Sequence, residues 1–126
     1  MEMKQSGRAP RAIGPYSHAV RSGRLLFCSG QTPLDPETMK LIGDTIEVQV
    51  ERALANLELV LEDCGLSLAD VVKTNVYLQD MDDFAGMNSV YARKFGEHKP
   101  ARTTVAVREN PLGALVEIEC VAEFHE

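Results

Sequence analysis

Arg102 directly follows Pro100-Ala101 at the start of a β-branched run, and its type and place make it the first candidate for chemistry. Two readings stand side by side. An arginine at a strand start is commonly a solvated surface charge. One whose planar fork faces an interface suits bidentate capture of a carboxylate or a phosphate. Its strand parity is opposite to that of Val105 and Val107, which predicts that it turns away from a helix-packed core. Asn88 is the second candidate, a polar residue within the apolar stripe Phe84, Met87, Tyr91 and Phe95. It reads either as a buried amide satisfied by backbone or as a site group.

Other residue types offer less. His18, His98 and His125 lie in separate segments without ligand spacing, so no metal is expected. Ser29 precedes Gly30 and Gln31 with no nucleophile elbow around it, which argues against a Ser-His-Asp hydrolase. There is no phosphate-binding loop, dinucleotide glycine pattern or H-E-x-x-H, and no cofactor is expected. Cys28, Cys64 and Cys120 are odd in number and widely separated, and read as reduced thiols of a cytoplasmic protein.

The elements that must position these residues follow from periodicity. A chain of 126 residues, 44% hydrophobic and 25% charged, fits one domain spanning 1–126 with one core. Ser17 to Val20 and Leu25 to Ser29 flank Ser22-Gly23 and predict a hairpin, followed by a proline-rich loop from Thr32 to Pro36. Ile46, Val50, Ala53, Leu54, Leu57, Val60, Leu61 and Cys64 form one helical stripe. Asp44 with Glu47 suggests its capping box, and Gly65 its C-terminal stop. Val71 to Leu78 reads as a central strand, and Asp80 opens a second helix. Thr103 to Val107 and Val116 to Phe124 read as two closing strands joined by a loop.

The order β-β-α-β-α-β-β predicts an α+β fold, a single mixed sheet with two helices on one face. On the last strand Glu117, Glu119, Val121 and Glu123 alternate with Ile118, Cys120, Ala122 and Phe124. The face away from the helices is therefore half apolar, as subunit interfaces often are. No segment has the length and apolarity of a membrane span. A net charge of −6 without a basic stripe disfavours a nucleic-acid partner.

Seven blocks in order carry a resemblance: Ala12-Ile13-Gly14-Pro15-Tyr16-Ser17, Ser29-Gly30-Gln31, Leu34-Asp35-Pro36, Asp70-Val71-Val72-Lys73-Thr74, Asn88 with Tyr91, Pro100-Ala101-Arg102-Thr103, and Gly113 to Glu119. From about Ala9 to Phe124 the chain closely resembles the reactive intermediate deaminase family, also called YjgF or RidA. The resemblance implies a chorismate-mutase-like fold and a homotrimer with interfacial clefts. It also implies cofactor-independent hydrolysis of 2-iminopropanoate and 2-iminobutanoate to keto acids and ammonia. Carried over by motif, Arg102 would bind the substrate carboxylate, Glu117 would position the attacking water, and Tyr16, Ser29, Gly30 and Asn88 would line the pocket.

If the last two strands form a hairpin, Arg102 and Glu117 lie about 13 Å apart along the ladder, far for one small substrate. The expectation is that each cleft pairs Arg102 of one subunit with Glu117 of its neighbour. The chain departs from the family at His18, at Met39-Lys40 and at Arg108-Glu109-Asn110, the last placing substrate size preference in question. His18 reads as structural, and Glu119 as a structural or rim carboxylate. Rival readings are an endoribonuclease and translation inhibitor, a non-catalytic keto-acid-binding module, and, among enzymes, a 2-aminomuconate-type deaminase.

Overall fold

The computed structural model describes residues 1–125. Its strands are β1 (Glu2–Lys4), β2 (Ala19–Ser22), β3 (Leu25–Gln31), β4 (Val71–Leu78), β5 (Ala101–Ala106) and β6 (Val116–Glu123). The helices are α1 (Ile46–Asp63) and α2 (Phe84–Phe95). The strands form one six-stranded sheet in the order β1-β2-β3-β6-β4-β5. Both helices pack on one face, over a core that includes Leu26, Leu54, Leu61, Val76, Met87 and Ile118. The expected α+β architecture is present, with an additional short N-terminal strand, β1, that three polar-flanked residues do not announce.

The helix boundaries follow from local chemistry. Thr45, not Asp44, caps α1: its backbone is extended and its side chain accepts from the Val48 N–H. A cap must be the residue immediately outside the first helical turn, and Asp44 lies one position too early. At the other end Gly65 takes φ +81°, and the N–H groups of Gly65 and Leu66 reach the Glu62 and Leu61 carbonyls. This pair of bonds is a Schellman closure, which glycine reaches without a Cβ penalty. Asp80 caps a short turn at Met81–Asp83 that leads into α2.

The strand order differs from the hairpin expected at the C-terminus. β5 runs parallel to β4, joined to it through α2, and β6 inserts antiparallel between β3 and β4. Burial explains the choice. Val116, Ile118, Cys120 and Ala122 of β6 are 0–3% exposed, as a central strand requires, whereas Ala101, Thr103, Val105 and Ala106 of β5 are exposed. β5 is thus the natural edge, and sequence neighbours need not be sheet neighbours.

Buried amides tie the loops to this frame. Asn56, fully buried on α1, donates to the Thr32 and Leu34 carbonyls and accepts from Arg52 Nε. Gln49 donates to the Gly43 carbonyl and accepts from the Leu115 N–H at 2.7 Å, fixing the approach to β6. His18, 2% exposed, accepts the Ser6 N–H at Nδ1 and donates from Nε2 to the Pro10 carbonyl. The two bonds require the neutral Nε2–H tautomer and clamp the N-terminal arm.

The loop held by Asn56 contains a strained residue. Met39 takes φ +61° where the Asp35 N–H bonds the Lys40 carbonyl. A left-handed conformation costs a non-glycine residue about 1–2 kcal/mol, partly offset by the greater unfolded-state entropy of glycine. Met39→Gly is therefore expected to raise stability by about 0.5–1 kcal/mol, read as a higher denaturant midpoint. An unchanged or lower midpoint would show that packing of the half-buried thioether outweighs the strain.

Candidate functional site

The sequence candidates divide between two clefts among the described residues. The first, about 600 Å³, is lined by Tyr16, Ser29, Gly30 and Glu117, with Glu119 and Leu112 beside them. The second, about 510 Å³, is lined by Asn88, Tyr91, Phe95, His98, Lys99 and Arg102.

A register shift between Cys28 and Gln31 opens β3 opposite β6 and places Ser29 and Gly30 at the first cleft. Ser29 is oriented twice, by its N–H to the His18 carbonyl and its Oγ to the Ser17 carbonyl at 2.7 Å. A Cβ on Gly30 would stand 2.9 Å from the Glu117 carboxyl carbon. Only glycine leaves the space in which that carboxylate lies. Tyr16, about half exposed, accepts the Ile13 N–H at its hydroxyl and so stiffens the loop at the rim.

Glu117 is half-buried and has no hydrogen-bond partner among the described residues. Burial pushes its carboxyl above the usual range, and the negative charge of Glu119 pushes it the same way. Glu119 is the better anchored of the two: Asn75 Nδ2 donates to it at 2.9 Å. The nearby Tyr77 hydroxyl is pushed up by its own burial and then by Glu119. The rim carboxylate expected from parity is thus a braced neighbour of the candidate base.

Arg102 lies elsewhere and faces the other way from its expected direction. It is level with Thr74 on β4, whose buried hydroxyl bonds the Tyr91 hydroxyl at 2.7 Å, so its side chain shares the helix-covered face. The guanidinium stands 4.8 Å from the Tyr91 ring centroid and 5.6 Å from that of Phe84, with Nη1 4.0 Å from Met87 Sδ. Arg102 and Val105 do point to opposite faces, but Val105 is 41% exposed and belongs to the uncovered face. At an edge strand the larger hydrophobic residue does not mark the core side.

Among the described residues Arg102 has no carboxylate within ion-pair distance. Stacking on aromatic faces holds the fork while leaving its N–H donors free for an anion. Asn88 is half-buried on the same cleft with no side-chain hydrogen bond among the described residues. The backbone-satisfied reading of its amide does not apply. Two positions from Arg102, Thr104 Oγ1 is buried without a partner. Lys99, which lines the same cleft, carried no site signal in the sequence, because its value depends on what the fold sets beside it.

Arg102 and Glu117 are not brought together within one protomer. Glu117 is level with Tyr77, and Arg102 with Thr74 one strand further on. Three residues along and two strands across give about 14 Å, with the side chains on opposite faces.

Comparison with known proteins identifies the family and the fold. Residues 6–124 match the family described as Endoribonuclease L-PSP. A RutC family protein of Pyrococcus horikoshii is 50% identical over 114 residues, covering 90% of each chain. The chloroplastic Reactive Intermediate Deaminase A of Arabidopsis thaliana is 41% identical over 121 residues, 96% of this chain and 65% of that protein. The structure of E. coli TdcF with bound serine superimposes with a TM-score of 0.92 at 36% identity, covering 98% of both chains. Matched over nearly its whole length in sequence and in fold, the chain belongs to the Endoribonuclease L-PSP family, the YjgF/RidA proteins.

Proposed function

We propose that this protein hydrolyses reactive 2-imino acids, such as 2-iminopropanoate and 2-iminobutanoate, to 2-keto acids and ammonia without a cofactor. It does so as a cytoplasmic homotrimer whose sites lie between subunits. The observation that carries the reading is the separation of two complementary half-sites. Among the described residues, an arginine with no carboxylate partner, able to grip a substrate carboxylate, lies on one sheet face, and a half-buried glutamate with no hydrogen-bond partner lies on the other. A neighbouring copy that brings its second cleft against the first would complete both. The family relative named as a deaminase and the family structure holding an amino acid favour the same substrate class.

The reaction asks little of the protein, since an iminium carbon is already electrophilic. Arg102 of one subunit would hold the substrate carboxylate, with Asn88 at hand on the same cleft for the acid end. Glu117 of the neighbour, ionised, would take a proton from water as its oxygen attacks C2 and the C=N electron pair moves to nitrogen. The protonated carboxyl would then give its proton to the amine of the tetrahedral adduct. Collapse to C=O expels ammonia as the Glu117 carboxylate takes the hydroxyl proton, which it then releases to solvent or to the departing ammonia. A carboxyl pushed up by burial holds its proton more readily than an ordinary glutamate, which suits this two-way transfer.

The family description also includes endoribonuclease, but a net charge of −6 gives little attraction to a phosphate backbone. The test is a coupled assay in which an amino acid dehydratase releases the enamine and semicarbazide competes for the imine. Wild type should speed keto-acid release, and Arg102→Ala and Glu117→Gln should each lose about 100-fold or more. Mixed and reassembled, the two inactive variants should regain activity, with about a quarter of sites pairing an intact arginine with an intact glutamate in a cyclic trimer. No recovery would overturn the reading that the two residues share a site across subunits. No acceleration by wild type would favour the binding-module or aminomuconate reading.

The raised Glu117 carboxyl has a pH consequence. A base whose pKa is raised loses activity as pH falls through that raised value, so the acidic limb of kcat/KM should stand above the ordinary glutamate range. Glu119→Gln removes the repulsive neighbour but not the burial, the larger cause, so the limb should move to lower pH. A limb that stays in place or moves up would contradict the coupling of the two carboxylates.

A further inference from the structure

The turn at Pro111–Gly113 holds Leu112 at φ 60° and ψ 17°, with Gly113 following at φ 72°. Left-handed backbone is disfavoured for leucine, and this leucine is also 62% exposed, so burial within the protomer does not compensate it. The strain is imposed from behind. Gln79 accepts the Asn110 N–H at 2.9 Å and donates to the Arg108 carbonyl at 3.2 Å. Asn110, 5% exposed, donates from Nδ2 to the Tyr77 carbonyl at 3.1 Å. Backbone bonds from Gly113 to Asn110 and from Ala114 to Pro111 close the turn.

A strained residue that its surroundings over-determine is a pointer to function. Here the turn delivers its side chain to the first cleft, where Leu112, Pro111, Ile13 and Tyr16 supply an apolar rim to a pocket floored by Glu117. Ile13 is 64% exposed and Tyr16 47%, so the rim is open to a ligand rather than packed on itself. The cleft of about 600 Å³ is far larger than a three-carbon acid needs.

We propose that Leu112 is the specificity-determining residue of the first cleft, packing on the substrate's side chain and favouring branched apolar 2-imino acids over the methyl-bearing one. The inference rests on the imine-hydrolase reading and goes beyond it by assigning the side-chain subsite. Each methylene that a hydrophobic pocket accommodates is worth about tenfold or more in selectivity.

The experiment generates imines from alanine and from leucine with an L-amino acid oxidase and scores protection against semicarbazide trapping. It compares wild type, Leu112→Met and Leu112→Asn, with oligomer mass measured by light scattering. Asparagine tolerates the left-handed conformation, so the turn is kept while the apolar wall is lost. Wild type and Leu112→Met should prefer the leucine-derived imine, and Leu112→Asn should lose about tenfold of that preference. An unchanged ratio overturns the assignment. A changed oligomer mass with both substrates reduced equally also overturns it, placing Leu112 at a contact between copies. Should wild type hydrolyse neither imine, the imine-hydrolase reading itself fails and takes this inference with it.

Discussion

The insertion of β6 between β3 and β4 is the constraint on which the rest of the molecule depends. Its alternation buries Val116, Ile118, Cys120 and Ala122 beneath the helices. The same alternation turns Glu117 and Glu119 to the uncovered face, because successive side chains of a strand must point to opposite sides. A one-residue slip would turn three carboxylates, Glu117, Glu119 and Glu123, toward the core side, so burial of the apolar set also locks the position of the candidate base. Gln49 on α1 reinforces the register by accepting the Leu115 N–H just before the strand starts. Gly30 on β3 leaves the space that Glu117 occupies.

The same packing separates the charges. With β6 central, β5 is displaced to the edge, and Arg102 is carried to the helix side of the sheet at a border open to other molecules. Its charge is left without a carboxylate among the described residues and rests against Tyr91 and Phe84 instead. The two carboxylates gather around the opposite cleft, where Asn75 anchors one and burial keeps the other reluctant to ionise. A protomer arranged in this way carries an anion-binding half and a proton-transfer half that face apart. The half-apolar sheet face and open β5 edge provide the surface through which copies would join them.

Much of the local architecture was legible in the chain. The stripe from Ile46 to Cys64, the strand Val71 to Leu78 and the helix bearing Asn88 are where periodicity places them. The alternation of β6 predicted correctly which side Glu117 occupies. The cap of α1 was misplaced by one residue, since Asp44 and Thr45 are both capable caps and only the backbone turn selects between them. Arg102 was assigned the wrong face because Val105, on an edge strand, is an exposed hydrophobic residue rather than a core one.

What the residue order determined by itself is what short-range physics controls: the periods of helix and strand, the glycine stop at Gly65, and the candidacy of Arg102 and Asn88 by type, with Glu117 added by family resemblance. Tertiary structure alone decided the strand order, and with it the placing of Arg102 and Glu117 on opposite faces in separate clefts. It also decided the bracing of Glu119 by Asn75 and the delivery of Leu112 to the cleft mouth. The reason is physical. Which strands become neighbours is settled by burying whole faces against two helices at once, a sum over distant residues that no local pattern contains.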